Sequence, residues 1–290
     1  MHQLDIAFSS EGRILRGWLT VPDGDGPFAG VVMSSGFAGV KEGFLGNPFH
    51  QVVAEAGIVV VLFDHPNTGE SDGLPRQELD YVAQQRAYQD AITFLAARNE
   101  VDAERIGIWG TSYSGGHVLA VAARDRRVRA VVSQAMTISG HANLLRRHTP
   151  AGYIALRRSW AEERLRLASG QPATLVAAFA EDSESTRYQA ARPIEQRRNW
   201  RNEVTLRSWE LYDECEPAAF IDRIAPAPLL MIVPLDDTMT PAEDAFEAYA
   251  RALEPKRLIT VPGTHYAVYG EQFARTSAAA RDWFAEHLAP

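Results

Sequence analysis

Residues 105–120, "RIGIWGTSYSGGHVLA", constrain this chain more than any other stretch. A short apolar run ends in glycine, a hydroxyl-rich bend follows at once, and a helical pattern starts with two more glycines in its first turn. That order reads as strand, sharp turn, helix, with the residue at the bend lifted above the end of a sheet. The bend residue is held in a strained backbone, so the positions two before it and two or three after it must be small. Ser112 meets the condition with Gly110 behind and Ser114 and Gly115 ahead, and Ser114 meets part of it with Ser112 behind and Gly116 ahead. The apolar run ends at Trp109 or Gly110, which puts Ser112 at the bend and leaves Ser114 as its small neighbour.

The surrounding pattern says what kind of sheet this is. "RILRGWLTV", "AGVVMSS", "GIVVVLFD", "RIGIWG", "VRAVVSQA", "PLLMIVP" and "KRLITVPG" read as strands, most of them apolar on both faces, as a parallel sheet covered by helices requires. Helical patterns lie between them; Tyr81, Tyr88, Ile92 and Leu95 recur at steps that place them on one helix face. The alternation predicts a doubly wound α/β domain whose ligands gather at the carboxyl ends of the strands. From Met136 to Asp222 no strand pattern appears, only helical segments such as "YIALRRSWAEERLRLA". That interval is too long for a connection. The expected organisation is a core of 1–135 and 223–290 with a helical lid of 136–222 inserted between strands 6 and 7.

A serine hydroxyl is a weak nucleophile until a base takes its proton, and the base needs an acid to orient it. Both partners are present in order. "DDTMTP" puts Asp236 and Asp237 just past the end of one strand, and "VPGTHYAVY" puts His265 after the next. Ser, Asp, His, each just past a different strand, is a chain order that α/β-hydrolases use.

On "SSGFAGVKE", "FDHPNTGESDG", "RIGIWGTSYSGGHVL", "PLLMIVP" with the "DDTMTP" that follows it, and "PGTHYAVY", the sequence resembles the α/β-hydrolase superfamily. Within it, the resemblance is to the dienelactone-hydrolase-like serine hydrolases that include relatives of fungal polyketide acyltransferases. It implies an α/β-hydrolase fold with Ser112 as nucleophile, His265 as base and Asp237, four residues before Pro241, as the triad acid. It also implies an oxyanion hole from the backbone amides of Phe37 and Tyr113. The departure is Ser35, where relatives usually carry a histidine that braces this loop. Dienelactone hydrolases proper use a cysteine nucleophile, so Ser112 points to an esterase-like variant.

The remaining candidates are read more plainly. His117 belongs to the helix after the bend and is expected to pack; His141 and His148 lack a nearby carboxylate and are thin evidence for a metal. Asp64 is expected to be structural, and the arginines from 146 to 207, interspersed with glutamates, to form a solvated face. Trp160, Trp209 and Tyr212 are expected in the lid core, where they could line an acyl pocket. Cys215 has no partner for an internal disulfide, and the net charge of −8 leaves no basic field for nucleic acid. No signal peptide or membrane-spanning run is apparent, so a cytoplasmic location is expected, with no membrane partner and a homodimer left open. The expected activity is hydrolysis of a small-molecule carboxylic ester, or of a thioester or amide, without metal or organic cofactor. Acyl transfer with the same triad, and a non-turnover binding protein on this fold, are the alternatives.

Overall fold

In the computed structural model, which describes all 290 residues, every residue of "IVVVLF" (58–63) is buried. The two-residue repeat of a strand sorts them: Val59, Val61 and Phe63 enter one apolar core, while Ile58, Val60 and Leu62 enter another on the opposite face. A strand without a polar face needs cover on both sides.

The elements that provide it run in the following order. The first part holds β1 (His2–Ser10), β2 (Arg13–Val21), β3 (Phe28–Ser34), α1 (Phe49–Ala54), β4 (Ile58–Phe63), α2 (Tyr81–Ala96), β5 (Val101–Thr111), α3 (Tyr113–Ala122) and β6 (Val128–Gln134). Next come α4 (Gly140–Arg147), α5 (Pro150–Ala168), β7 (Leu175–Val176), α6 (Glu184–Ala190), β8 (Val204–Thr205) and α7 (Leu206–Asp213). The chain then returns through β9 (Leu229–Pro234), α8 (Ala242–Arg251), β10 (Lys256–Val261) and α9 (Phe273–His287).

Eight strands form one sheet in the order β1-β2-β4-β3-β5-β6-β9-β10, antiparallel at β1, β2 and β4 and parallel from β4 onward. The core containing Val59 and Phe63 also takes Tyr88, Ile92 and Leu95 of α2, Val118 and Leu119 of α3 and Ala245 and Ala248 of α8. The opposite core takes Phe49 and Val53 of α1 and Ala280, Trp283 and Phe284 of α9. Each fully buried aliphatic or aromatic side chain contributes about 1.5–3 kcal/mol, so these two layers hold the sheet.

From β3 the chain moves outward to β4, then crosses back so that β5 pairs with the other edge of β3, with Ser34 opposite Gly110. The strand order reverses there, and the crevice above such a reversal is where ligands bind in open α/β sheets. The loops leaving β3 and β5 carry Ser35-Gly36-Phe37 and Ser112.

Two differences from the sequence reading stand out. β1 is not among the expected strands, and the stretch 136–222 is not purely helical, because β7 and β8 pair antiparallel within it. This stretch leaves the sheet after β6 and rejoins it at β9. No helix is long and apolar enough to cross a membrane.

Candidate active site

Ser112 has φ 57° and ψ −119°, a positive-φ conformation that only the surrounding turn can impose on a serine. Its amide donates to the Gln134 carbonyl at 2.9 Å, and its carbonyl accepts from Gly116 and Thr137, so both peptide groups are tied down. Gly110 must be glycine: a Cβ there would lie 2.1 Å from the Ser114 carbonyl oxygen. Ser112 is half-buried at the start of α3, and Ser114 is completely buried.

His265, in the loop after β10, places Nε2 3.0 Å from Ser112 Oγ and Nδ1 2.7 Å from Asp237 Oδ2. Asp237, in the loop after β9, is itself saturated. Its Oδ1 accepts from the amides of Met239 at 2.7 Å and Thr240 at 2.9 Å, and its Oδ2 accepts from the Thr240 hydroxyl at 2.7 Å. Burial alone would raise this carboxyl; His265 and the Thr240 donors outweigh it and hold the group below the usual aspartate range. Asp236 is exposed and accepts only from the Gly263 amide, at 3.1 Å. The fixed carboxylate therefore belongs to Asp237, and the imidazole it orients faces the serine.

The loop after β3 closes over the same point. A Cβ on Gly36 would sit 2.7 Å from Ser112 Cβ, so the bare backbone is what lets this loop approach the serine. The Phe37 amide donates to no acceptor in the protein, and neither does that of Tyr113, the first residue of α3, where helix geometry leaves N–H groups free. Ser35 is tied down through its backbone. Ser114 Oγ donates to the Ser35 carbonyl at 2.5 Å and meets His65 Nε2 at 2.7 Å. Burial pushes His65 down to about 3, so the ring is neutral and donates Nε2–H to Ser114. The second serine of the bend thus fastens the β3 loop to α3.

A half-open cleft of about 690 Å³, its mouth included, is lined by Ser112, His265, Phe37 and Phe44, with Tyr266 and Tyr269 from the His265 loop and Phe179, Tyr188, Arg192 and Trp200 from the inserted stretch. A narrower cavity of about 290 Å³ meets Ser112 on another side, between Phe37, Phe179, Trp209, Tyr212 and Met239. Trp209 and Tyr212 therefore line only the smaller space, where both rings pack on Phe37 at 4.8 and 5.4 Å. Trp160 lines neither; it is buried with Leu144, Tyr153 and Cys215, and its outer edge faces a surface groove with Arg157 and Arg164. Tyr266 and Tyr269 closely follow His265 in "THYAVYG" and are readable from that proximity. Tyr188, Arg192 and Trp200 carry no such signal, and Arg192 departs from the solvated face expected of the arginines around it.

The other candidates have structural partners. His117 is fully buried, contacts Gln84 Oε1 at 2.8 Å and packs 4.3 Å from the Tyr113 ring, away from Ser112. Asp64 accepts from the amides of Lys41 and Glu70 and pairs with the buried Lys41 ammonium at 3.2 Å. His141 contacts Asp213 at 3.0 Å, and His148 follows the end of α4. Burial pushes the Cys215 thiol up to about 12, which keeps it protonated and unreactive.

The family profile described as X-Pro dipeptidyl-peptidase (S15 family) matches residues 12–267. A protein of Aspergillus aculeatus called thiohydrolase aneE is 31% identical over 263 residues, covering 86% of this chain and 81% of its own. The polyketide transferase grgF of Penicillium sp is 29% identical over 271 residues, covering 89% and 87%. The crystal structure of the α/β hydrolase GrgF from Penicillium sp. sh18 superposes with a TM-score of 0.85 at 25% identity over the whole of both chains. The fold, the hydrogen-bonded line from Asp237 through His265 to Ser112, and these matches have one placement: the chain belongs to the α/β-hydrolase superfamily, in the group that the S15 family profile describes.

Proposed function

We propose that the protein is a serine acyl hydrolase that cleaves a carboxylic ester or thioester through an acyl-enzyme on Ser112. The observation that carries this reading is the hydrogen-bonded line from Asp237 through His265 to Ser112, ending on a serine in a strained turn. In the proposed cycle, Ser112 Oγ attacks the acyl carbon while His265 Nε2 takes its proton. Asp237 holds the imidazole with Nδ1–H toward it and stabilises the imidazolium. The free amides of Phe37 and Tyr113 receive the oxyanion, a contribution of about 3–4 kcal/mol per donor to the barrier in such sites. The leaving group takes the proton from His265, and water then repeats the steps to release the acid.

Relatives called thiohydrolase and polyketide transferase support an acyl substrate rather than a peptide. An enzyme that releases dipeptides from a free amino terminus must also hold an ammonium group, and the cleft lining contains no Asp or Glu. We further propose that residues 136–222 act as a lid, because Phe179, Tyr188, Arg192 and Trp200 come from it. Transfer to a bound alcohol or amine is the second reading, favoured by the transferase names and by aromatic walls that would exclude water from the acyl-enzyme.

The test is a fluorophosphonate probe with a generic ester and thioester. Ser112→Ala should abolish both turnover and labelling of the peptide containing residue 112, while Ser114→Ala should keep the labelling. Labelling at Ser114, or full turnover by Ser112→Ala, would overturn the reading. Added alcohol that diverts product into a new ester faster than water releases acid would select the transferase form.

A further inference from the structure

Arg192 is an unusual side chain to find in an acyl-binding cleft. It follows α6, lies 5.1 Å over the Tyr188 ring and is half-buried. Its Nε donates to Gln196 Oε1 at 3.1 Å and one Nη donates to the Gly43 carbonyl. It makes no ion pair with any carboxylate, and no Asp or Glu lines the cleft with it. A guanidinium carries five N–H donors, so most of its hydrogen-bonding capacity is uncommitted. Burial holds its pKa below the usual arginine value, opposed only by tyrosines 188, 266 and 269.

Taking a cation part way out of water without a counter-charge is costly, and a protein gains nothing from it unless something else supplies the charge. Trp200 lines the same cleft, and its indole N–H is buried without an acceptor in the protein. Gly43 adds the space, since a Cβ there would already touch the guanidinium at 3.4 Å. The walls nearby are aromatic, with Tyr188 stacked on Tyr266 at 4.3 Å, and they lower the local dielectric around the cation. One cation, one orphaned N–H and no acid within a cleft that opens on Ser112 describe a receptor for an anion carried by the substrate.

We infer that Arg192 and Trp200 form a carboxylate-binding subsite, so that the substrates are esters or thioesters bearing a second, ionised carboxylate away from the scissile bond. This rests on the acyl-hydrolase reading of Ser112. The carboxylate can be attached through the acyl chain or through the leaving group, and the assay separates the two.

The experiment compares kcat/KM for a monoester of a dicarboxylic acid, an ester of a hydroxy acid, and the neutral methyl-capped isostere of each. The wild-type enzyme should prefer one anionic ester over its isostere by about 10- to 100-fold, the effect of one or two charge-assisted hydrogen bonds. The preferred ester tells which side of the scissile bond reaches Arg192. Arg192→Met should collapse the anionic-to-neutral ratio toward one, Arg192→Lys should restore part of it, and Trp200→Phe should lower it severalfold. A free dicarboxylate should also protect Ser112 from the fluorophosphonate in wild type, at concentrations that rise at least tenfold in Arg192→Met. Equal use of anionic and neutral esters by wild type overturns the inference without any variant, and so does a ratio that Arg192→Met leaves unchanged. In either case turnover of the neutral esters with labelled Ser112 leaves the hydrolase reading intact, whereas no labelling and no turnover would sink that reading and this one with it.

Discussion

Replacing Gly36 by alanine adds one methyl group where the β3 loop crosses the turn that carries Ser112. Its Cβ would lie 2.7 Å from Ser112 Cβ and 3.1 Å from both Ser112 Oγ and the Thr111 carbonyl oxygen. Carbon atoms in ordinary contact keep about 3.5–4.0 Å, so the loop must retreat by about 1 Å or the serine must turn. Either movement spoils the proposed chemistry. A displacement of about 1 Å at the reacting atoms costs on the order of 100-fold, and withdrawal of the Phe37 amide alone costs about 100- to 1,000-fold in kcat. The strain itself is modest, about 1–3 kcal/mol, which corresponds to a few degrees in Tm for a chain of this size. Gly36→Ala should therefore melt within a few degrees of wild type yet hydrolyse a neutral activated ester at least 100-fold more slowly. Gly152→Ala, in the first turn of α5 and outside the cleft lining, is the control and should stay within about threefold. The assay is kcat from steady-state turnover alongside the rate of fluorophosphonate labelling and a thermal melt. A folded Gly36→Ala that keeps more than a third of wild-type kcat would refute the argument that this close approach positions the oxyanion loop.

Asp237→Asn should lower kcat by about 10³- to 10⁴-fold through loss of the oriented imidazole, whereas Asp236→Asn, exposed and bonded to one amide, should stay within a few-fold; the reverse ranking in the same ester assay would move the acid by one residue. Stability should fall in mild acid because His50, His65 and His117 are buried and their pKa values are depressed by desolvation, to about 4 for His50, about 3 for His65 and well below the usual value for His117. The unfolded chain binds these protons near pH 6.5 and the folded chain does not, so their contribution is fully present above about 6.5 and declines as pH drops toward the folded values. Each histidine costs about 1.4 kcal/mol per pH unit in that window, roughly 4 kcal/mol for the three. Urea unfolding at pH 7, 6 and 5 checks this, and a flat profile would contradict the neutral, buried assignment of the His65 ring.

The parts of the fold that are legible in the sequence are those where one physical demand acts on consecutive residues. In "IVVVLF" burial on both faces leaves no room for a polar residue, and around Ser112 the strained turn dictates small neighbours at fixed distances. Ser112, Asp237 and His265 can be proposed together because each follows a strand, and the strand ends of a parallel sheet converge on one crevice. β1 escapes the pattern because that demand is weak at a sheet edge. Of "HQLDIAFSS" only Phe8 and Ser10 are buried; Leu4, Ile6 and Phe8 alternate along one face, but Leu4 is exposed and Ile6 only partly covered, so the signal is three residues long and borders on polar sequence. β7 and β8 are two residues each and carry no period at all.

The inserted stretch is least legible for a reason specific to how it is built. A helix that buries one stripe against a core announces itself by apolar spacing, but α5 exposes most of its length and buries little beyond Tyr153, Trp160 and Glu163. The residues that reach the cleft come instead largely from α6 and the short turns after it, where no long repeat exists. Trp160 reads as a pocket residue because a large aromatic in a helical insertion must be covered by something; what covers it is the Tyr153, Leu144 and Cys215 cluster beneath α5. Arg192 reads as a solvated arginine because its sequence neighbours are charged, and "ARPIEQRRNW" gives no way to tell which guanidinium turns inward. Long cationic side chains satisfy a sequence pattern equally well pointing out or in, since their stems are apolar and their heads polar. What separates the two is whether a counter-charge waits at the far end. For Arg192 the protein supplies no carboxylate, only the Tyr188 ring, Gln196 and the Gly43 carbonyl, and on the reading proposed above the counter-charge is the one a substrate brings into the cleft.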